Sequence, residues 1–375
     1  MTFCLVMLGV FMLFGYFSQK HSEKLAVAQG RAWGPDEHGV YARLEVWSVA
    51  LILIVVFVCG LRVWYNDTSA YYHGFLESPT LKEVLGKHLN LGDCPGYIYL
   101  QAIVHSVTDN VHLFIMLCAA ICIAPMLIFL KRYSSNFFLS MFLYVTAGQF
   151  LFSLAAIKQA IAISIAIWAI PLYLKKKYLA ALLLLALAAL FHPYVLLYLA
   201  LPLLTSKPWG INTLFIALVI GGVAIFFQPS LQLVLGFAES LGDDFTDESF
   251  SGTGVNVFRV LVYAMTPILS LIFLDRVRHD ENKYQHTYIN VAILCAGIMF
   301  LALFGTANLI GRVALYLSFS LSLSLPYIIS RLEKKSAMAL SGVAIILYFA
   351  YYLYANRNIE YAQITLREFI ESILK

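Results

Sequence analysis

Charge is what this sequence has least of. Its 25 basic and 21 acidic residues amount to 12% of 375 positions, against about a quarter in an ordinary soluble domain. Apolar residues make up 61% of the chain, and mean hydropathy is +0.81. No soluble fold of this length has an interior large enough to hide so much hydrocarbon. Cysteine outside apolar runs is nearly absent as well: of Cys4, Cys59, Cys94, Cys118, Cys122 and Cys295, only Cys94 falls in an expected loop. That excludes a disulfide framework and a thiolate metal cluster. There is no phosphate-binding glycine loop, no Walker lysine and no hydrolase elbow, so ATP is not indicated as an energy source. A net charge of +4, scattered over short loops, argues against nucleic acid as a partner. Internal repeats, low-complexity linkers and a soluble domain are also lacking.

Long apolar runs recur instead, near 3–17, 46–61, 111–130, 137–153, 157–174, 178–191, 193–205, 211–227, 255–274, 288–304, 312–330 and 336–354. Each is long enough, or nearly so, to cross a bilayer core of about 30 Å as a helix. The expected fold is therefore all-α, a polytopic transmembrane helical bundle of about twelve spans, with one transmembrane domain over 1–354 and a C-terminal tail over 355–375. The run from Met1 to Phe17 has no basic residue ahead of it and no small-residue cleavage site behind it, so it reads as a span rather than a signal peptide. The runs flanking His192-Pro193 are short for full crossings, which predicts a broken or re-entrant helix; 96–106 is a second candidate half-helix. In the tail, Ile359, Leu366, Phe369, Ile370, Ile373 and Leu374 alternate with charges, the pattern of an amphipathic helix lying along the interface.

With these spans, Lys20, Lys24, Arg31, Arg43, Lys131, Arg132, Lys175, Lys176, Lys177, Lys207, Arg276, Arg278, Lys283, Arg331, Lys334 and Lys335 fall on one side. The positive-inside rule makes that side cytoplasmic. Loops 62–110, 228–254 and 305–312, and the turns at 154–158 and His192-Pro193, then face outward.

Ionisable residues at the edges of spans are costly and mark sites by default. Here Arg62, Lys158, His192, Arg259 and Arg312 gather at the predicted outer surface. Several cations in a low-dielectric, outward cavity suit a pyrophosphate on an isoprenoid tail, because guanidinium groups bind phosphate oxygens bidentately. Arg62 and Lys158 read equally well as side chains snorkelling to the interface. Arg259 and Arg312 each open a span on the outside, against the positive-inside trend. His192 precedes a helix-breaking proline; beside cations its pKa is expected to fall, which suits a neutral hydrogen-bond partner or base. Asp67 is the carboxylate best placed to take a proton from a sugar hydroxyl, although spacing alone favours a helix cap. Asp93 reads as a turn former. Trp64, Tyr65, Tyr71, Tyr72 and Phe75 fit an interfacial aromatic belt better than a sugar-stacking surface. Asp243, Asp244, Asp247 and Glu248 fit a solvated loop better than a metal site, and no metal or cofactor is assigned.

The pieces Gly60-Leu61-Arg62, Asn66-Asp67-Thr68 with Tyr71, Pro95-Gly96-Tyr97, Lys158-Gln159-Ala160, Phe191-His192-Pro193, and Gly311-Arg312 with Tyr316 and Pro326 together resemble the EpsG family, related in role to the Wzy polymerases of O-antigen, capsule, lipopolysaccharide and exopolysaccharide biosynthesis. The family usually has Arg-Gln at Lys158-Gln159 and glycine at Asn66; lysine keeps the charge and loses the bidentate fork. The resemblance implies a GT-C-like helical fold in a bacterial cytoplasmic membrane. It implies an active site facing the periplasm or exterior and transfer of a growing glycan from undecaprenyl pyrophosphate to a lipid-linked repeat unit. Asp67, His192 and Arg312 are then the catalytic candidates, and Arg62, Lys158, Gln159, Arg259, Tyr71 and Tyr316 the substrate-binding ones. A chain-length co-polymerase and a flippase are candidate companions.

Rival readings are an O-antigen-type ligase, which shares the donor chemistry, and a transporter or flippase for lipid-linked sugars, which would spread its polar groups through the membrane depth. A membrane acyltransferase would need a histidine-centred set facing a cytoplasmic acyl donor. Because fixed cations can stabilise a phosphate leaving group, activity in isolated membranes is expected to survive chelation; loss on chelator with recovery on added magnesium would contradict this.

Overall fold

The computed structural model describes residues 1–28, 44–227, 254–305 and 310–374, with a few positions between 229 and 236. Arg31, Arg43 and the acidic run Asp243, Asp244, Asp247 and Glu248 lie outside the described residues. All twelve apolar runs are helical. Among the described residues, five helices are long and apolar enough to cross a bilayer: Thr2–Leu25, Val111–Tyr133, Ile157–Leu174, Lys283–Leu301 and Lys334–Ala355. Phe137–Thr146 and Gln149–Ala155, bent by 50°, form a sixth if counted as one span. The other six runs are apolar helices of 10–17 residues. At a rise of 1.5 Å per residue, the 15 residues of Val46–Gly60 cover only about 22 Å, so the expected count of about twelve becomes twelve apolar segments, of which five or six have full length.

The breaks have local causes. Gly148 has φ +89°, a left-handed conformation that a side chain resists, and it bends the fourth run where sequence reading expected a continuous span. Ala156, at φ −113° and ψ 72°, separates Gln149–Ala155 from Ile157–Ala166. At His192 the backbone is extended and the chain resumes as a 3-10 helix over Pro193–Ala200, as expected of a proline that cannot continue a helical ladder. Pro95–His105 forms the predicted half-helix of 11 residues.

Side-chain contacts define two ends of the bundle. At one end Lys131, 4% exposed, donates to the Ser18 carbonyl at 3.2 Å and to Ser22 Oγ at 2.7 Å, and lies 3.6 Å from Glu45. Gln285 donates to the Tyr133 carbonyl, and Arg276 and Arg278 reach the carbonyls of Arg331 and Pro208. These contacts bring together Lys131, Arg276, Arg278 and Arg331, four of the basic residues that topology had grouped. Arg62 stands beyond the opposite end of Val46–Gly60 from Glu45, and Arg259 opens the Val257–Ile272 helix that leads to Arg276.

The tail departs from expectation. It contributes a strand, β2 (Ala362–Gln363), which pairs antiparallel with β1 (Arg62–Trp64), so the fold is not purely helical. Leu366–Ile373 follows, a helix with a capping box from Thr365 and Glu368. Its Phe369 is 6% exposed and meets Phe57 edge-on at 5.8 Å. The tail is thus docked on the end of Val46–Gly60, with Leu366, Ile370 and Ile373 left exposed on the helix.

Close packing at that end depends on Gly60, where an added Cβ would sit 2.7 Å from Met116 Cβ. Gly60→Ala is expected to cost about 1–3 kcal/mol through overpacking. Gly221→Ala, in the Ile211–Ile225 helix with nothing within 4 Å, should gain up to about 1 kcal/mol from helix propensity. Thermal unfolding of the purified protein in detergent checks the order: Gly221→Ala at or above wild type, Gly60→Ala below both.

Candidate functional site

The site is built on the turn between β1 and the short helix Thr68–Leu76. Arg62 leaves the end of Val46–Gly60 and turns inward, with 1% of its surface exposed. Its Nε donates to Thr68 Oγ1 at 3.0 Å and its Nη1 to the Cys59 carbonyl at 3.2 Å. Thr68 in turn donates its hydroxyl and its N–H to the Tyr65 carbonyl. Burial rules out the snorkelling reading of Arg62 and makes it a brace beneath the turn. Asn66 occupies the left-handed region at φ 43°, a conformation that glycine and asparagine tolerate best, which accounts for asparagine at the position where the family pattern has glycine.

This geometry delivers Asp67 to the surface. It stands at the N-cap position of Thr68–Leu76, yet its side chain makes no capping hydrogen bond. The cap reading favoured by spacing therefore holds for position and fails for the carboxylate, which lines an open cavity of ≈ 470 Å³. Arg259 and Arg312 line the same cavity, with Tyr65, Asn66, Gly148, Phe152, Tyr351 and Asn356 among the other walls. Asp67 and Arg312 are exposed and Arg259 is half-buried, its guanidinium 5.9 Å from the Tyr263 ring centre. Three residues far apart in sequence thus meet in one cavity: two fixed cations and one carboxylate.

Beside it lies a polar chain within the bundle. Gln159, 4% exposed, donates Nε2–H to the Tyr316 hydroxyl at 3.1 Å, and that hydroxyl pairs with His192 Nδ1 at 2.7 Å. Tyr316 is fully buried. The Tyr316 hydroxyl thus ties Gln159 to the imidazole and fixes the orientation of the His192 ring. His192 stands in the turn between two short helices, outside any candidate span. Burial first, and then the charges of Lys158 and Arg312, lower its pKa to about 4. The sequence anticipated the direction from the cations; the larger cause is burial.

The remaining candidates take supporting places. Lys158 is half-buried with its ammonium 5.2 Å from the Tyr97 ring centre. The Tyr71 hydroxyl accepts from the Ile157 N–H at 3.1 Å, fixing the start of the helix that carries Lys158 and Gln159. Tyr72 pairs with His112, and Phe75 is buried and stacked on Phe114 at 4.4 Å, so of the aromatic run only Trp64 is fully exposed. Asp93 accepts from the Asn90 N–H at 2.7 Å, as a turn former does. Among the described residues no three of His, Cys, Asp and Glu converge as metal ligands. Sequence reading missed Gly148, Tyr351 and Asn356 as cavity walls. The signal for Tyr351 is the cluster Tyr348, Tyr351, Tyr352 and Tyr354 on the helix Lys334–Ala355, too many aromatic hydroxyls for a purely lipid-facing span.

A model of the EpsG family matches residues 45–366, which takes in the brace, the cavity, the polar chain and the first part of the tail. No curated protein and no solved structure gives a significant match.

A histidine held near a pKa of about 4 in the fold and near 6.5 when unfolded binds its proton earlier in the unfolded chain. Its contribution to stability is full above pH 6.5 and is lost as pH falls towards 4. His192→Gln is expected to flatten the acid side of the thermal-midpoint profile between pH 6.5 and 4; an unchanged slope would show that another group sets it.

Proposed function

The chain belongs to the EpsG family, and on that footing we propose that it is a membrane glycosyltransferase of the bacterial cytoplasmic membrane. It extends a polysaccharide on the outward face by moving the growing glycan from undecaprenyl pyrophosphate to a lipid-linked repeat unit. The observation that supports this best is the meeting of Arg259, Arg312 and Asp67 in one open cavity. The basic helix ends near Lys131 and Arg276 support an outward-facing cavity under the positive-inside rule.

In the reaction a hydroxyl of the acceptor sugar attacks the anomeric carbon of the donor. The bond from that carbon to the pyrophosphate oxygen breaks, and its electron pair leaves with the pyrophosphate. Arg312 and Arg259 bind the leaving group as charge accumulates on it, the stage at which preorganised donors contribute most. Asp67 receives the proton of the attacking hydroxyl. His192 is the weaker candidate base, because Nδ1 is engaged by Tyr316 and its pKa is lowered to about 4; it acts as a neutral hydrogen-bond partner whose orientation Tyr316 and Gln159 fix. Lys158 adds positive charge without a fork. Arg62 serves the same chemistry indirectly, by holding the turn that carries Asp67.

The test is the glycan ladder from cells lacking the protein, complemented at matched membrane levels. Wild type should restore long chains. Arg312→Ala and Asp67→Asn should each leave single repeat units, with rates lower by about 10²–10³-fold for the arginine, and Arg312→Lys should fall between because it keeps charge without the fork. Long chains in cells lacking the protein would sink the polymerase reading and bring transport forward. Polymerised chains that fail to reach their final acceptor would point to a ligase.

A further inference from the structure

We infer that the C-terminal segment from Ile359 to Ile373 is a positioning element for Asp67, working from outside the turn as Arg62 works from within. This rests on the role proposed for Asp67. The four residues Tyr65 to Thr68 are too few to hold a carboxylate steady above an open cavity. From below, the Arg62 guanidinium ties the Cys59 carbonyl to the Thr68 hydroxyl. From above, β2 pairs Gln363 with Arg62 and Ala362 with Trp64, and the Ile364 N–H donates to the Leu61 carbonyl at 2.9 Å.

The segment is anchored on both sides of this pairing. On one side the Tyr361 ring stacks on Phe3 with centroids 3.5 Å apart and planes within 9°, its hydroxyl reaches the Val58 carbonyl at 3.4 Å, and its ring lies 6.4 Å from that of Tyr65, a wall of the cavity. On the other side Phe369 is buried against Phe57 and His112, and Asn110 donates to the Ser372 carbonyl and hydroxyl at 2.8 and 3.0 Å. An isolated pair of strands this short has no stability of its own, so these anchors hold β2 in place and β2 holds the turn. Displacement of a catalytic group by about 1 Å can cost 10²-fold in rate.

The decisive variant is Ile364→Pro. Proline removes the N–H that bonds to Leu61 and leaves an extended preceding residue undisturbed. Rates are measured in membranes supplied with lipid-linked repeat units extracted from cells lacking the protein. Ile364→Pro should lower kcat at least about tenfold with KM within about twofold, whereas Ile364→Val, which keeps the N–H, should stay near wild type. As a second arm, Trp64→Cys with Ala362→Cys should crosslink and remain active. An uncrosslinkable pair, a crosslinked protein that is inactive, or wild-type kcat in Ile364→Pro would each overturn the inference. If Arg312→Ala is inactive while Ile364→Pro is normal, only this inference fails; if both are normal, the functional reading fails with it.

Discussion

A full positive charge with one per cent of its surface in solvent is the constraint on which the site depends. Arg62 sits where an apolar helix ends, and among the described residues no carboxylate pairs with it. A buried cation must be met by hydrogen-bond acceptors or the desolvation cost goes unrecovered. Its acceptors are the Cys59 carbonyl and the Thr68 hydroxyl, one at each end of the turn. The cost of burying the charge is therefore also the force that closes the turn, and closing it places Asn66 in the left-handed region and Asp67 at the cavity. Replacing any acceptor leaves a charge in hydrocarbon, so the turn has little freedom to relax.

How much of this was legible in the sequence follows from the range of the interactions. The apolar runs report a local property, and all twelve appear as helices. Their ends are less legible because a backbone break such as Gly148 costs one residue and leaves average hydropathy unchanged. The pairing of 362–363 with 62–64 joins residues three hundred positions apart through backbone hydrogen bonds, which carry no side-chain signature; only the apolar pattern of the tail was visible, and an interfacial helix explains that pattern equally well. Arg62 shows the same limit. Its charge was plain, but whether a guanidinium at a helix end points out to phosphate or in to a carbonyl depends on what the rest of the chain packs above it.

The polar chain from Gln159 through Tyr316 to His192 divides the labour between two candidate bases. Tyr316 links Gln159 to His192 Nδ1 and so fixes the ring's orientation. Burial lowers the imidazole's pKa to about 4 and keeps it neutral. A group so weakly basic is a poor acceptor for a proton from a sugar hydroxyl. The other candidate has surroundings that differ in kind: Asp67 is exposed and lines a wide cavity, and it makes no capping bond to the backbone turn beneath it.

That cavity also answers an objection to putting a carboxylate among arginines. If Asp67 paired directly with Arg259 or Arg312, the ion pair would occupy both the carboxylate and a guanidinium that the proposed reaction uses. Among the described residues no such pair forms. The three groups stand on different elements: Asp67 on the braced turn, Arg312 on Ile310–Leu315 and Arg259 on Val257–Ile272, around ≈ 470 Å³ of open space. Separation of this kind has to be maintained, since opposite charges a few ångströms apart attract. A turn that sagged towards Arg312 would gain an ion pair and lose its chemistry. Rigid support of the turn on both faces, by a buried guanidinium below and a docked strand above, is thus what the electrostatics of the cavity require.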